Sequence, residues 1–160
     1  MLRCWAALRA ASTDAAITAL AADSPFTSVV RRLGCLRGVW TLTAFALAAE
    51  VGDGHRLSGR TIGAYLGLMP TEFSTGDTGV QGGLSRTGNG HARRLLTEAA
   101  WHHRLPYRPS HQLRCRWAGL AARARGHAGN HRLHRRWRRF EDRKKRPVVA
   151  NAAIAGELAG

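Results

Sequence analysis

Apolar residues recur at helical spacing along most of the chain, and this pattern predicts a mainly α-helical fold. Residues 2–22 are rich in alanine and leucine, and residues 26–33 repeat an apolar side chain every three or four positions. The same spacing predicts helices over residues 59–67, 90–104, 111–125 and 131–145, and an apolar last helix that starts at Pro147. We therefore expect a helical bundle in which each helix buries one face.

Polar caps, glycine and proline set the expected limits of these helices. Ser58 and Asn89 each precede a predicted helix, where a short polar side chain can accept hydrogen bonds from the first free backbone N–H groups. Pro106 and Pro109 mark a linker, and the run from Gly126 to Asn130 is expected to separate two basic helices.

The basic helices are expected to turn a narrow apolar face towards the core. In the helix over 90–104, His103 and the alanines and leucines face inwards, whereas Arg93, Arg94 and Glu98 point outwards. The expected apolar positions of the next two helices are Leu113, Trp117 and Leu120, and then Leu133, Trp137 and Phe140.

The stretch from Thr71 to Arg94 interrupts the helical pattern with six glycines, several hydroxyl residues and four basic residues. It has no apolar run long enough to bury, so it is poor core material. Glycine removes the side chain that would hold an anion away from the backbone, so the composition favours a phosphate-binding segment. We predict an irregular β-hairpin in which residues 72–75 lead out and residues 82–86 lead back.

Residues 36–53 have the layout of a helix-hairpin-helix motif, with a turn at Gly38 and Val39 before an apolar helix. In such a motif the glycine turn exposes backbone N–H groups at the start of the second helix, where the helix dipole favours a phosphate. Trp40 stands where the usual hairpin has a second glycine. A plain helix–turn–helix corner that packs on the core is an equally open interpretation.

Charge is concentrated in the second half of the sequence. The chain has 160 residues and a formal net charge of +15, and residues 84–146 contain 18 of the 25 Lys and Arg residues but only three of the ten acidic residues. Such a surplus indicates a polyanionic partner, since neutralised phosphates release counterions. Most of the cations are arginine, which binds phosphate oxygens in a bidentate manner.

Several classes of protein are disfavoured by the same composition. No stretch reaches about 18 uncharged apolar residues, so no membrane span is predicted. The three cysteines, Cys4, Cys35 and Cys115, are odd in number and too widely spaced for a disulfide framework or a metal motif. We expect a cytoplasmic protein of one domain that associates with the nucleoid.

The acidic residues predict no metal site, because no spacing among the ten brings carboxylates together as a Mg²⁺ site requires. The hydroxyls of Ser74 and Thr75, just before Gly76, leave two roles open. Either residue can make an ordinary phosphate hydrogen bond. Alternatively, one of them can attack a phosphodiester, provided that arginines such as Arg86 neutralise the developing charge.

The run over residues 62–104, IGAYLGLMPTEFSTGDTGVQGGLSRTGNGHARRLLTEAAWHHR, resembles the C-terminal domain of the RuvC-like (DEDD), serine-dependent insertion-sequence transposases, which are related to Piv-type DNA invertases. Residues 33–53 and 135–159 resemble the segments on either side of it. The positions that carry the resemblance are Tyr65, Gly67, Leu68, Pro70, Glu72, Ser74, Gly76, Gly82 or Gly83, Gly88, Asn89, Arg93, Leu95, Leu96, Glu98, Ala99 and Trp101.

This resemblance implies DNA transposition through strand cleavage and rejoining, with Ser74 as the nucleophile and Thr75 as the alternative. In that family a separate N-terminal RuvC-like domain supplies four acidic metal ligands, so Mg²⁺ is expected only together with that domain. The sequence offers no counterpart of it, and we expect a truncated transposase that does not complete the reaction alone. The implied division is a non-family extension over 1–13, a core over 14–104 and basic helices over 105–160.

The partners expected from this resemblance are DNA, a structured guide RNA, and either a second copy of the chain or a full-length transposase. The alternative from another functional class is a non-catalytic helical module that binds DNA or RNA. The predicted nucleic-acid contacts are the same in both cases: Gly38, Arg86, His91, Arg93, Arg94, Arg135, Arg136, Arg138 and Arg139.

Overall fold

Eight α-helices and one β-hairpin make up the described part of the chain, which confirms the predicted mainly α fold. The computed structural model describes residues 2–59, 61–75, 78–117 and 123–160, with the backbone alone for 2–10, 73–75 and 78–81. The helices are α1 (Leu2–Ala22), α2 (Thr27–Leu33), α3 (Thr41–Val51), α4 (Thr61–Tyr65), α5 (Gly90–Trp101), α6 (His111–Trp117), α7 (Arg123–Asp142) and α8 (Pro147–Ala159). The strands are β1 (Pro70–Thr75) and β2 (Thr78–Leu84).

The main core lies where α8 packs on both α5 and α7 and where α3 packs on α5. Small side chains dominate it, so the helix axes can approach closely and few large residues are needed to fill the space. Trp137 of α7 is fully buried and is the largest side chain in this core. The buried residues around it include Ala44, Leu47, Leu96, Ala99, Ala100, Leu133, Ala150, Ile154 and Ala155.

A smaller cluster attaches α6 to the segment between α2 and α3. Leu113 and Trp117 of α6 are buried against Cys35, with Tyr107 partly buried beside them. The indole Nε1 of Trp117 donates a hydrogen bond to the Cys35 carbonyl oxygen at 3.1 Å. Burial raises the pKa of the Cys35 thiol, so this cysteine is a packed, protonated side chain.

Helix α7 contradicts the predicted break between two basic helices, because Gly126 to Asn130 lie inside one continuous helix. Gly126 is buried against Cys35, where an added Cβ would come within 2.8 Å of the Cys35 Cβ. The buried Asn130 amide donates to the Cys35 carbonyl at 2.9 Å and accepts from the Arg37 backbone N–H at 2.7 Å. These tertiary contacts outweigh the weak helix propensity of both residues.

The antiparallel hairpin forms as predicted in type, but its return strand is earlier than predicted. Ser74 pairs with Gly79 and Thr75 with Thr78, so β2 runs over Thr78–Leu84 and not over residues 82–86. The pairing register shifts between Pro70 and Glu72. Residues 76 and 77, between the two strands, lie outside the described part of the chain.

The base of the hairpin is held by a close crossing of two backbone segments around Gly67 and Gly88. Both glycines have positive φ angles, +64° and +87°, and a Cβ on either would collide with the backbone of the other segment. The Asn89 N–H donates to the Tyr65 carbonyl at 3.3 Å. Arg93 donates from Nη1 to the carbonyls of Leu66 and Thr87, at 2.9 and 3.3 Å. The crossing therefore joins α4, the hairpin and α5 into one unit.

Several helix limits also differ from those predicted. Helix α4 spans only Thr61–Tyr65 of the predicted 59–67, and α5 ends at Trp101 instead of residue 104. Ser58 and Asn89 do cap these helices, through bonds to the Thr61 and Ala92 N–H groups at 3.2 and 2.9 Å. Helix α6 ends at Trp117, and Leu120 lies outside the described residues. The three-part division of the chain stays a prediction.

Candidate functional site

Ser74 and Thr75 lie at the end of β1, next to the hairpin tip. Their backbones pair with Gly79 and Thr78, whereas their side chains, and residues 76 and 77, lie outside the described part of the chain. The hairpin geometry therefore presents the proposed nucleophile near a tip, on a strand without a third strand in the described sheet. A group that must reach a phosphodiester needs this kind of access.

Arg86 does not lie beside Ser74, contrary to the arrangement that a return strand over residues 82–86 would have produced. Arg86 follows β2, has a φ of +55° and donates its backbone N–H to the Gly67 carbonyl at the base. Ser74 pairs with Gly79, seven residues before Arg86. At about 3.3 Å per residue the two are separated by roughly 20 Å. Arg86 is exposed and is available for a phosphate elsewhere on the surface.

His91 at the start of α5 is held by a carboxylate on α3. Its Nδ1 lies 2.9 Å from Oε1 of Glu50, and Asn89 donates from Nδ2 to Oε2 of the same carboxylate at 2.6 Å. The hydrogen bond from Asn89 and then that from His91 hold the pKa of Glu50 below its usual range. Since an ionised carboxylate only accepts, His91 donates through Nδ1 and keeps Nε2 free of this pair.

The two arginines that follow on α5 have different environments. Arg94 points outwards as predicted, with an exposed ion pair to Glu98 at 3.0 Å. Arg93 was predicted to point outwards, and this is wrong, since its guanidinium is half-buried and donates to the carbonyls of Leu66 and Thr87. Arg93 thus stabilises the crossing at the hairpin base, and whether it also contacts nucleic acid stays a prediction.

Gly38 lies against the end of α5. Its φ is +82°, and an added Cβ would come within 2.6 Å of the Ala99 carbonyl oxygen and 2.8 Å of the His102 ring. The turn after α2 is therefore a helix–turn–helix corner packed on α5, in which glycine is required sterically. A phosphate contact through the neighbouring N–H groups is not tested by this geometry.

The arginines of α7 divide into paired and unpaired residues. Arg136 Nε lies 2.8 Å from Oε1 of Glu157 on α8, and Arg138 Nη1 lies 3.1 Å from Oε2 of Glu141. Arg135 and Arg139 are exposed and make no ion pair or side-chain hydrogen bond with any residue that the structure describes. At 100° per residue they stand opposite the buried side of α7 formed by Leu133 and Trp137.

Two arginines that the sequence did not single out connect the α2–α3 corner to residues 105–116 through backbone carbonyls. Arg37 Nη1 donates to the carbonyls of Leu105 and Pro106 at 3.0 and 3.1 Å. Arg116 Nη1 donates to the Val39 carbonyl at 2.6 Å, and burial lowers the pKa of its guanidinium. No sequence signal distinguishes them from the other arginines, because their role depends on which carbonyls the fold leaves free.

His103 is fully buried, as predicted, between α5 and the basic helices. Burial, and then the positive charge of Arg37, lower its pKa to about 4. The ring is therefore neutral at pH 7, and because it is fully buried it cannot contact a phosphate. The Nδ1 of His134 lies 3.0 Å from the His103 carbonyl oxygen. Because a carbonyl oxygen only accepts, His134 donates this hydrogen bond and Nδ1 carries the hydrogen.

Metal ligands do not converge in the described part of the chain. Among those residues no three His, Cys, Asp or Glu side chains are close enough to hold one ion. The residues described here therefore do not fit the Mg²⁺ that the resemblance attributes to a separate domain. In the same residues no helix has the length and hydropathy needed to cross a bilayer.

Comparison with known proteins connects this arrangement to transposases. A sequence profile described as "Transposase IS116/IS110/IS902 family" matches residues 30–114, which hold the α2–α3 corner, the hairpin and α5. The chain is 40% identical over 136 residues to y4qE of Sinorhizobium fredii, which is named as a candidate transposase, and this match covers 83% of the chain and 35% of that protein.

Two further relatives match shorter parts of the chain. It is 41% identical over 80 residues to the transposase of insertion sequence element IS1328 of Yersinia enterocolitica, covering 48% of the chain and 24% of that protein. It is 38% identical over 71 residues to the transposase of IS1111A of Coxiella burnetii, covering 44% and 20%. The chain thus spans about a third or less of the length of these relatives. Because the profile covers more than half of its 160 residues, the chain belongs to the IS116/IS110/IS902 family of transposases.

Proposed function

We propose that this chain binds nucleic acid through the outer face of α7 and carries the serine, Ser74, that cleaves and rejoins DNA during insertion-sequence transposition. The named relatives are transposases, and transposition needs a surface for DNA and a group that attacks its backbone. The basic helix and the hairpin that carries Ser74 near its tip are suited to these two tasks. A structured RNA and a second copy of the chain are further proposed partners.

The unpaired arginines of α7 are the observation that carries the binding proposal. Arg135 and Arg139 are four residues apart on one helix face, and like charges at this spacing destabilise an isolated helix by about 0.2–0.5 kcal/mol. Neither is neutralised by a described acidic residue. A line of phosphates on this face removes the repulsion and releases counterions, which is how polyanions bind basic surfaces.

The chemical step assigned to Ser74 is a phosphoryl transfer in two balanced stages. The Ser74 Oγ attacks phosphorus, an O–P bond to serine forms, and the bond from phosphorus to one sugar oxygen breaks. The serine proton leaves to a base, and the departing sugar oxygen gains a proton. Rejoining reverses these events with a sugar hydroxyl of another strand. Mg²⁺ bound to another part of a transposase would stabilise the developing charge.

Salt dependence tests the binding part of the proposal. The affinity of the chain for labelled duplex DNA and for a structured RNA is measured by fluorescence anisotropy between about 50 and 200 mM salt. Several phosphate contacts predict a loss of at least about tenfold over this range, since the slope of log K is about −0.9 per contact. An affinity that hardly changes with salt contradicts the proposed surface.

Complementation tests the serine. The chain is supplied to a family transposase that lacks its own C-terminal domain, and element excision is scored for Ser74→Ala, with Thr75→Ala as the matched neighbour. Loss of excision with Ser74→Ala alone, at unchanged DNA affinity, supports the nucleophile. Loss with Thr75→Ala alone transfers the role to Thr75.

A non-catalytic nucleic-acid-binding module is the second candidate function. It is favoured by the exposed arginines of α7, which can bind phosphates without any chemical step. Under this alternative both alanine variants keep wild-type excision and wild-type affinity.

A further inference from the structure

Three parts of the chain meet around Trp40, at the corner between α2 and α3. Arg37 reaches the Leu105 and Pro106 carbonyls, and Arg116 of α6 reaches the Val39 carbonyl at 2.6 Å. The end of α5 lies against Gly38. Residues far apart in sequence thus share one surface, and Trp40 projects from it.

Trp40 is an exposed aromatic side chain with a cation already stacked on it. The guanidinium carbon of Arg116 lies 4.6 Å from the ring centroid, and Trp40 still keeps 49% of its surface exposed. The hydrogen bond to Val39 holds Arg116 in place, so the stack is pre-formed. Trp101 is exposed to a similar extent, at 40%, but its ring packs on the buried Trp137, with the ring centroids 5.6 Å apart.

Helix α3 begins directly after this tryptophan, with its first N–H groups uncapped. Trp40 is the N-cap residue, and its side chain accepts no hydrogen bond from the first turn. An 11-residue helix leaves its first backbone N–H groups without intrahelical partners, and the helix dipole makes that end attractive to an anion. The aromatic ring and these N–H groups are adjacent in sequence, as a base and its phosphate are adjacent in a nucleotide.

The two segments that meet beside Trp40 carry charge of one sign. Residues 36–43 and 105–116 contain no aspartate or glutamate. They contain Arg37, Arg108, Arg114 and Arg116. The positive field favours a phosphate-bearing ligand, and the exposed ring adds the part of the recognition that charge alone does not supply.

We propose that Trp40 and Arg116 form a stacking platform for one unpaired base of a single-stranded nucleic acid, with the adjoining phosphate at the start of α3. A base inside a duplex is already stacked on its neighbours and has no free face for Trp40. An unpaired base has two faces, and stacking on an aromatic side chain is tolerant of sequence. This proposal rests on the proposed nucleic-acid binding and specifies that part of the bound nucleic acid is single-stranded.

The test compares single-stranded and duplex affinity in the intact chain. The probe is a fluorescein-labelled 15-nucleotide oligothymidylate, with a mixed-sequence 15-base-pair duplex as the reference, at one salt concentration. Trp40→Ala is expected to weaken binding of the single strand about tenfold, the effect of losing one stacked base, and to change duplex binding less than twofold. Trp101→Phe is the control for Trp40→Phe at a second partly exposed tryptophan, which packs on Trp137 and not on Arg116, and it leaves both affinities unchanged.

Tryptophan emission provides a second readout, which does not depend on whether the Trp40→Ala variant folds. Stacking on a base quenches the indole, so the single strand lowers the emission of the chain, and most of this change disappears in Trp40→Phe. That variant retains an aromatic ring and keeps most of the affinity. Equal weakening of single strand and duplex, or no weakening, overturns the platform. If the platform is overturned but the duplex still binds with a steep salt dependence, the proposed nucleic-acid binding stands without the platform. If neither probe binds, both the platform and the proposed nucleic-acid binding are wrong.

Discussion

Arginines at two regions of the molecule serve opposite purposes. At the chain crossings, Arg37, Arg93 and Arg116 turn inwards and donate to backbone carbonyls of the loops they cross. On the outer face of α7, Arg135 and Arg139 are exposed and meet no acidic partner in the described part of the chain. The same residue type supplies structure in one region and free charge in the other.

The difference follows from what each region leaves unsatisfied. Loop segments that cross without forming a sheet have free carbonyl oxygens, and a guanidinium with five donors can bond several of them at once. A helix interior has no such carbonyls, so arginines on the face of α7 can only find acidic side chains or an external anion. A count of basic residues therefore overstates the charge available to nucleic acid.

The largest loss of stability is expected for Gly88→Ala, at the crossing that holds the base of the hairpin. A residue with a φ of +87° disfavours any side chain, and here the Cβ collides with the Tyr65 carbonyl, so the backbone must move. We expect a loss of about 3–4 kcal/mol in the free energy of unfolding, measured by urea denaturation followed by circular dichroism.

Gly52→Ala is the matched control for this change. Gly52 also has a positive φ, +65°, but nothing lies within 4 Å of an added Cβ. It should cost only about 1 kcal/mol, the conformational part of the effect. Equal losses for the two variants would show that the crossing is not tight.

The second effect concerns the buried His103, which the fold keeps unprotonated at neutral pH. Burial, and then the positive charge of Arg37 and His102, lower the pKa of His103 to about 4 in the fold, from the ordinary 6.5 of an exposed histidine. Between these values the unfolded chain binds a proton that the folded chain does not. The neutral His103 therefore contributes roughly 3 kcal/mol to the free energy of unfolding above about pH 6.5, and this contribution is lost as the pH falls towards 4.

His103→Leu should remove this part of the pH dependence. Neither ring nitrogen meets hydrogen-bond geometry with a described residue, so an apolar side chain of similar size should leave stability at pH 7 unchanged or higher. Urea titrations at pH 7, 5.5 and 4 measure it, with the exposed His55→Gln as the control. A variant that loses stability with acid as steeply as the wild type argues against a neutral buried ring.

A smaller effect separates two neighbouring arginines of α5. Arg93→Gln removes the donors to the Leu66 and Thr87 carbonyls and should cost about 2 kcal/mol in the free energy of unfolding. Arg94→Gln removes only an exposed pair with Glu98 and should cost less than about 0.5 kcal/mol. Thermal melts of the two variants measure the contrast, and a reversed order would reject the inward assignment of Arg93.

The smallest effect on stability, and a distinct effect on binding, is expected on the outer face. Arg135→Gln and Arg139→Gln should each change the free energy of unfolding by less than about 0.5 kcal/mol, since each relieves a like-charge pair. Each should reduce the salt slope of DNA affinity by about 0.9, the share of one phosphate contact. Anisotropy titrations at several salt concentrations check this. An unchanged slope in both variants would place the nucleic acid elsewhere.

Much of the fold could be predicted from local patterns. The helical spacing, the caps at Ser58 and Asn89 and the start of α8 at Pro147 depend on neighbours within a few residues, and all three agree with the structure. The continuous helix through Gly126 and Asn130 could not be predicted, because Cys35 and Arg37 stabilise it from about ninety residues away. The hairpin return was misplaced for a similar reason, since register depends on pairing across strands.

The candidate site residues were chosen from the sequence by residue type, but their arrangement could not be predicted. Ser74, His91 and the arginines were identified by type, yet Ser74 and Arg86 lie at opposite ends of the hairpin. Glu50 could not be linked to His91 from sequence, since α3 and α5 meet only in the folded chain. Trp40 carried no local signal beyond replacing a glycine.

The sequence by itself determined that the chain is helical, basic in its second half and interrupted by one glycine-rich hairpin, because these properties are local or additive along the chain. Only the tertiary structure decided which arginines are free. That choice depends on where distant carbonyls and carboxylates come to lie, and hydrogen bonds form by distance and angle, whatever the separation in sequence. Arg93 and Arg94 are neighbours in the chain, yet one holds the crossing together and the other faces solvent.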